Sequence, residues 1–197
     1  MAKVVPEQVY ITDKELILLC QQCERERAPQ EIRASFRQLY QRYQQRVRST
    51  LYQLCGDRLL DDLVQEVFLR VWKGLPQLRQ PAHFSTWLYR ITWNVATDQR
   101  RKFALLREQE FTSPSSNTEE SLENTNLTQL YYQELVQQGL QTLSFDHRVV
   151  LVLHDLEDLP QKQVANILNI PVGTVKSRIF HARSAMRKFL EQQGASL

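Results

Sequence analysis

Residues 59–75, LLDDLVQEVFLRVWKGL, and residues 84–102, FSTWLYRITWNVATDQRRK, decide the fold of this chain. In the first, Leu60, Leu63, Val64, Val67, Phe68, Val71, Trp72 and Leu75 recur at the three- and four-residue steps of an amphipathic helix. At about 100° per residue, Asp62, Gln65, Glu66, Leu69 and Lys73 gather on the opposite face. Such a face is ordinarily a solvated surface. Leu69, an apolar residue framed by acids on the outward side, reads instead as part of a docking patch.

The second stretch places Phe84, Leu88, Ile91 and Val95 on a core face with Trp87 at its edge. Opposite them stand Thr86, Tyr89, Trp93, Thr97 and Arg100, flanked by Arg90 and Arg101. Two readings of that aromatic, basic face stay open. Rings that stack bases, set among cations that hold phosphates, suit single-stranded nucleic acid. Packing of Tyr89 and Trp93 against neighbouring helices of a bundle is the other.

The remainder of the chain agrees with helix. Five glycines in 197 residues, with abundant Leu, Gln, Glu and Arg, favour it. The net charge of +3 is mild, but it is unevenly spread. Residues 108–147 hold seven acids and no Lys or Arg, whereas residues 176–188 hold five Lys or Arg and no acid, which points to separate surfaces with separate partners. No apolar run is long enough for a membrane span, and residues 1–15 lack a signal-peptide core, so a cytoplasmic protein is expected. Three cysteines build no disulfide framework. Cys20 and Cys23 form a lone CQQC without a second ligand pair, and read as structural thiols. No phosphate loop, metal spacing or nucleophile context appears, so no catalytic residue, metal or cofactor is expected.

In order, residues 1–11 read as an extended tail, and Thr12 or Asp13 caps a short helix ended by Ala28-Pro29. A long helix over about residues 30–54 carries Phe36, Leu39, Tyr40, Tyr43, Val47, Leu51 and Leu54 at helical spacing, and Gly56-Asp57 breaks it. With the central pair these segments make an N-terminal helical bundle. Residues 108–126 turn to Ser, Thr, Asn and Glu and lose periodicity, which is a flexible acidic linker. Beyond it, a helix over residues 127–143 precedes Ser144, an N-cap for FDHRVVLVLHDL.

Residues 161–190 then meet the needs of a helix-turn-helix: small Ala165 at the crossing, Asn169 in a left-handed turn position, and Val175 anchoring the second helix. Thr174 is placed to cap that helix. Val175, Ile179, Ala182, Met186 and Leu190 face inward, while Lys176, Ser177, Phe180, His181 and Ser184 face outward. Lys176, Ser177 and Phe180 are best placed to reach bases. Arg178, Arg183, Arg187 and Lys188 suit phosphates. The fold expected is all-α: two small helical domains joined by the linker.

The strings DDLVQEVFLRVWKGL, FSTWLYRITWNVATDQRRK and LPQKQVANILNIPVGTVKSRIFHAR together resemble the extracytoplasmic-function (group 4) sigma factors of bacterial RNA polymerase, in that family's order. The resemblance implies that residues 30–107 dock polymerase and melt and read the −10 element. Residues 127–197 then read the −35 element, and residues 1–29 are a tail and short helix. It assigns Asp62, Gln65, Glu66 and Leu69 to the clamp helices of the largest polymerase subunit. It assigns a flipped −10 base to His83, Phe84 and Ser85, where extrusion costs a few kcal/mol.

Asn94, Asp98 and Arg101, with Tyr89, Trp93 and Arg100, fall along the −10 strand. Thr174, Lys176, Ser177, Arg178, Phe180, His181 and Arg183 fall on the −35 duplex. Further partners implied are the flap of the second-largest subunit, promoter DNA and an anti-sigma factor. The family commonly has Arg where this chain has Lys176, and often where it has His181. Lys cannot make the bidentate guanine contact, so a different −35 preference is expected. A stand-alone dimeric helix-turn-helix regulator accounts for residues 143–190 equally well, but leaves Leu69 and the Tyr89/Trp93 stripe unused. A pure interaction protein that touches no DNA leaves the basic helix unused as well.

Overall fold

The computed structural model describes residues 11–22, 29–109 and 127–194. The expected tail, Cys23 of the CQQC pair, and linker residues 110–126 lie outside the described residues. Among the described residues every regular element is a helix.

Helix α1 (Asp13–Gln22) opens on a capping box. The Glu15 N–H donates to Thr12 Oγ1 at 3.3 Å, and the Thr12 N–H returns to the Glu15 carboxylate at 2.7 Å. The backbone bond first, then the Thr12 hydroxyl, holds the Glu15 carboxyl below its ordinary range. Leu16 and Ile17 are fully buried against α2 (Pro29–Cys55), and Arg42 and Tyr43 of α2 both reach Asp13. Cys20 is buried, and burial pushes the half-buried Cys55 thiol up to about 11, away from the thiolate range.

Helices α3 (Leu60–Gly74) and α4 (Phe84–Gln109) close the bundle. Leu63, Val64, Val67, Phe68, Val71, Leu75, Phe84, Leu88 and Val95 are buried with Leu39, Val47, Leu51 and Leu54, as the periodicity requires. Trp72 corrects that reading: it is 41% exposed, with its ring edge-on to Phe36 at 4.8 Å. Seven residues after exposed Gln65, it stands only about 20° from it around the helix. Two 3-10 turns, Leu75–Gln77 and Pro81–His83, carry the chain from α3 to α4, and Gln21 Nε2 pins the first to α1 by donating to Leu75 O and Leu78 O at 2.9 and 2.7 Å. A Cβ on Gly74 would stand 2.8 Å from the Trp87 ring, so this close approach needs glycine.

The C-terminal unit comprises α5 (Leu127–Thr142), α6 (Phe145–Leu151), α7 (Gln161–Leu168) and α8 (Val172–Gln192). Ser144 caps α6 by accepting from the His147 N–H at 3.4 Å. A single π turn, Val152–Leu156, follows α6, and Asp158 beyond it is left-handed at φ 53°. Neither could be read from periodicity. Between α7 and α8, Asn169 takes the left-handed conformation (φ 55°, ψ 47°) and its N–H donates to Ala165 O. Asn169→Val puts a branched Cβ into that conformation and is expected to cost about 1–3 kcal/mol. Asn169→Gly should cost little, and urea unfolding of the two variants checks both. Thr174 does not cap α8, which begins two residues earlier behind Pro171 and has no side-chain cap. The pyrrolidine ring fixes the entry angle that a capping hydroxyl would otherwise set.

The two units pack on each other through one continuous core, with α4 against α7 and the C-terminal end of α2 against α5 and α6. Reading them as units on a flexible tether gave no sign of this contact.

Candidate functional site

The outer face of α3 stands open. Asp62, Gln65 and Leu69 are exposed and Glu66 is half-buried, with Leu69 keeping 46% of its surface in solvent. Beside them runs a groove of about 660 Å³ between α2 and α3, lined by Phe36, Tyr40, Phe68, Leu69 and Trp72 among apolar groups and by Arg33, Arg37 and Gln65 among polar ones. An apolar floor with charged walls fits the apolar ridge of an incoming helix. The α2 side of this groove was missed from sequence, because Phe36 and Tyr40 read as core and Arg37 as a solvated face.

Arg70 ties this face to α4, with Nε donating to Glu66 at 2.7 Å and Nη1 to Asp98 at 2.8 Å. The Glu66 bond first, then the Asp98 bond, raises its pKa. Two residues assigned to different partners, Glu66 and Asp98, therefore share one guanidinium.

Of the expected base pocket, His83 is exposed and Ser85 half-buried, but Phe84 is in the core. Its ring is edge-on to Tyr43 at 5.2 Å, so Phe84 is a core residue and is not open to a base. Asn94 and Arg101 are exposed.

Along the rest of the α4 outward face the C-terminal unit buries Tyr89 and contacts Thr86, Arg90, Trp93 and Arg100, of which Arg90 and Arg100 stay exposed. Tyr89 is buried, its hydroxyl donating to Glu157 Oε2 at 2.6 Å. Trp93 stacks on Phe145 at 5.0 Å and 20°, and the Arg100 guanidinium lies 4.8 Å over the same ring. Thr86 accepts from Gln163 Nε2 at 2.7 Å, and Arg90 Nη2 donates to Asn166 O at 2.6 Å. On α2, Thr50 Oγ1 donates to Glu157 Oε1 at 2.8 Å. Arg148, half-buried at the α5–α6 corner, donates to Leu54 O at 2.7 Å, and burial lowers its pKa. Helix packing, the second reading of the aromatic stripe, thus describes Tyr89 and Trp93 in this arrangement.

Burial first, then the bond to Glu157 and its charge, raises the Tyr89 phenol, and burial with Asp13 does the same for Tyr43. A folded pKa raised above the unfolded value of about 10 gives stability that is complete below pH ~10 and lost as pH rises toward the folded value. In an alkaline titration, tyrosinate absorbance from these two phenols should appear only together with loss of helical circular dichroism.

On α8, Lys176, Ser177, Phe180 and His181 are exposed while Val175, Ile179 and Ala182 are buried. Phe180 keeps 69% of its surface in solvent, edge-on to His181 at 5.4 Å. Arg178 and Arg183 are already paired: Arg178 donates to Asp146 at 2.7 Å, and Arg183 makes a bidentate contact with Asp155 at 2.8 and 2.6 Å. The Asp155 bond raises the Arg183 pKa. Thr174 is half-buried at the first turn. Among the described residues, no group of three His, Cys, Asp or Glu side chains could hold a metal, and no helix is long and apolar enough to cross a membrane.

Residues 39–104 match the family model for sigma-70 region 2, and residues 133–186 match that for sigma-70 region 4. The ECF RNA polymerase sigma-E factor of Escherichia coli (strain K12) is 31% identical over 170 residues, covering 82% of this chain and 89% of that protein. The ECF RNA polymerase sigma factor SigE of Mycolicibacterium smegmatis is 31% identical over 166 residues, covering 82% of this chain and 63% of that protein. Two solved structures share the fold. CnrH in complex with the cytosolic domain of CnrY aligns with a TM-score of 0.66 at 22% identity, covering 91% of this chain and 97% of that one. The sigma factor RpoE in complex with the anti-sigma factor NepR from Bartonella quintana aligns with a TM-score of 0.64 at 21% identity, covering 79% and 96%.

Proposed function

Since this chain belongs to the extracytoplasmic-function branch of the sigma-70 family of RNA polymerase sigma factors, we propose how its surfaces divide the work of promoter-specific initiation. The unit spanning residues 30–107 docks on the clamp helices of the largest polymerase subunit through Asp62, Gln65, Glu66 and Leu69. The observation that carries this assignment is the exposed Leu69 at an open apolar groove whose wall includes half-exposed Trp72. Buried apolar anchors ringed by charge dominate protein interfaces.

The −10 element is read by exposed His83 at the end of the 3-10 turn, by half-buried Ser85 at the start of α4, and by the α4 face carrying Tyr89, Trp93, Asn94, Asp98, Arg100 and Arg101. The stacked geometry around Trp93 and Arg100 supports this, because an indole and a guanidinium that together hold a phenyl ring can hold a base. The unit spanning residues 127–197 reads the −35 element as duplex, with Lys176, Ser177, Phe180 and His181 toward base edges and the α8 arginines toward phosphates. The acidic residues 108–126 connect the two, and the polymerase flap receives the C-terminal unit.

The chain itself carries no catalytic step; phosphodiester chemistry belongs to the polymerase. It acts in the cytoplasm, and an anti-sigma factor that covers these surfaces is the partner to seek. Of the two solved structures that share the fold, CnrH is in complex with the cytosolic domain of CnrY and RpoE with the anti-sigma factor NepR. The stand-alone regulator leaves the α2–α3 groove without an occupant.

Initiation by core polymerase plus this chain on a pool of chromosomal fragments tests the reading. Start sites that appear only with the chain and share two spaced motifs are the expected result. Their absence, with the chain bound to core, would remove the promoter-reading assignment.

A further inference from the structure

We propose that Arg70 of α3 is a positioning residue for −10 reading: it holds Asp98 of α4 as a fixed hydrogen-bond acceptor that admits a base with an amino group and disfavours thymine. The proposal rests on the reading of α4 as the −10 face and names a specificity determinant within it. Asn94, Asp98 and Arg101 follow one another at four- and three-residue steps, so they form a single stripe along α4. Asn94 and Arg101 are exposed, and Asp98 is half-buried between them.

An acid in the middle of that stripe is costly on its own. Phosphates carry the same charge, so a bare carboxylate on a strand-binding face repels the strand. Arg70 offsets that charge from the neighbouring helix, its Nη1 donating to Asp98 Oδ2 at 2.8 Å. Its Nε donates to Glu66 Oε1 at 2.7 Å, one turn earlier on α3. The guanidinium is planar, and two bonds to acids on different helices hold it from turning. Both carrier helices are set by the core: Val67 and Val71 are fully buried around Arg70, and Val95 and Ala96 before Asp98. Side chains locked in this way on helices are placed more accurately than those on loops.

Stability does not account for the arrangement. All three charged side chains are part-exposed, where an ion pair adds little, and α3 and α4 are already joined by their buried apolar faces. What the pairing fixes is chemistry. With Oδ2 engaged, Oδ1 meets no donor among the described residues and is left as an acceptor. A carboxylate accepts and cannot donate, so it selects the amino groups of cytosine, adenine or guanine. Thymine offers one N–H set between two carbonyl oxygens, and both repel a carboxylate. Asn94, whose amide both donates and accepts, carries no such bias, and Arg101 suits a phosphate. Without Arg70, the carboxylate swings into water and its charge stands unscreened against the phosphates.

The test uses holoenzyme assembled from core polymerase and the full chain, as wild type, Asp98→Ala, Arg70→Gln or Arg70→Lys. The template is one promoter recovered with the wild type, its −10 element randomised at every position. Bar-coded transcripts give the base preference at each position, and circular dichroism confirms helix. The wild type is expected to disfavour thymine about tenfold at one −10 position, and Asp98→Ala to abolish that preference and no other. Arg70→Gln should cut the same preference to about twofold or less, with Arg70→Lys in between, because its single ammonium serves one acid at a time. An unchanged profile in either helical Arg70 variant overturns the proposal. So does a fall in initiation spread evenly over all −10 positions, which is the mark of a brace between helices, or a preference for thymine at the position that Asp98→Ala alters. Asp98→Ala with the wild-type profile at every position overturns instead the assignment of Asp98 to the −10 strand.

Discussion

Leu69→Arg is expected to weaken binding to core RNA polymerase by about 30- to 1000-fold, a loss of about 2–4 kcal/mol of the kind seen at interface anchors. Leu69 is the apolar centre of the α3 outer face, beside Gln65 and one turn from Trp72. An arginine there must be stripped of water against an apolar floor that offers it no partner. Because Leu69 is 46% exposed, the same change leaves the free fold almost untouched, and urea unfolding should shift by no more than about 0.5 kcal/mol. The contrast separates docking from stability. Equal losses in binding and in stability would mean that Leu69 is a core residue and that the patch lies elsewhere.

Lys176→Ala/Phe180→Ala should lower affinity for −35 duplex by about 2–4 kcal/mol, since each base contact contributes about 1–3 kcal/mol. Both side chains are exposed on the outward face of α8, and the Phe180 ring stands edge-on to His181. A ring that exposed is costly to leave in water unless a thymine methyl or a sugar covers it. Arg178 and Arg183 are different, being engaged with Asp146 and Asp155 before any DNA arrives. Alanine there should cost less affinity than at Lys176 and Phe180, because each arginine must leave an acid to reach a phosphate. Footprinting or anisotropy on the holoenzyme's own −35 sequence measures both effects.

How far these surfaces were legible depends on where periodicity governs. On α3 the spacing of Leu60 to Leu75 fixes the core side, and the misfit of Leu69 singles out, from sequence alone, an apolar residue that the structure leaves exposed. Trp72 was placed inward because its spacing from Phe68 suits a core; its angular nearness to Gln65 puts the wide indole across the edge. Asn169 and Val175 were legible because a helix-turn-helix imposes a stereochemical demand at each.

The α4 stripe was legible as either a strand-binding or a helix-packing face, but not as one packed by the C-terminal unit. An aromatic on a polar face announces a partner, and a strand of DNA and a second domain recruit the same stacking and hydroxyl chemistry. Glu157 was not legible at all. It lies where helical phase is lost to a π turn, and a lone acid there looks like any other surface carboxylate. Thr174 was misread for a related reason: a Thr near a helix start is a cap only if the chain enters there, and the chain enters at Pro171, three residues earlier.

The measurement that bears most directly on the central claim is equilibrium binding of the full chain and of Asp62→Arg/Glu66→Arg to purified core RNA polymerase. The account predicts tight binding by the wild type and its loss in the charge reversal, with both proteins equally helical. Failure of the folded wild type to bind core polymerase, while it still binds duplex DNA, would contradict it.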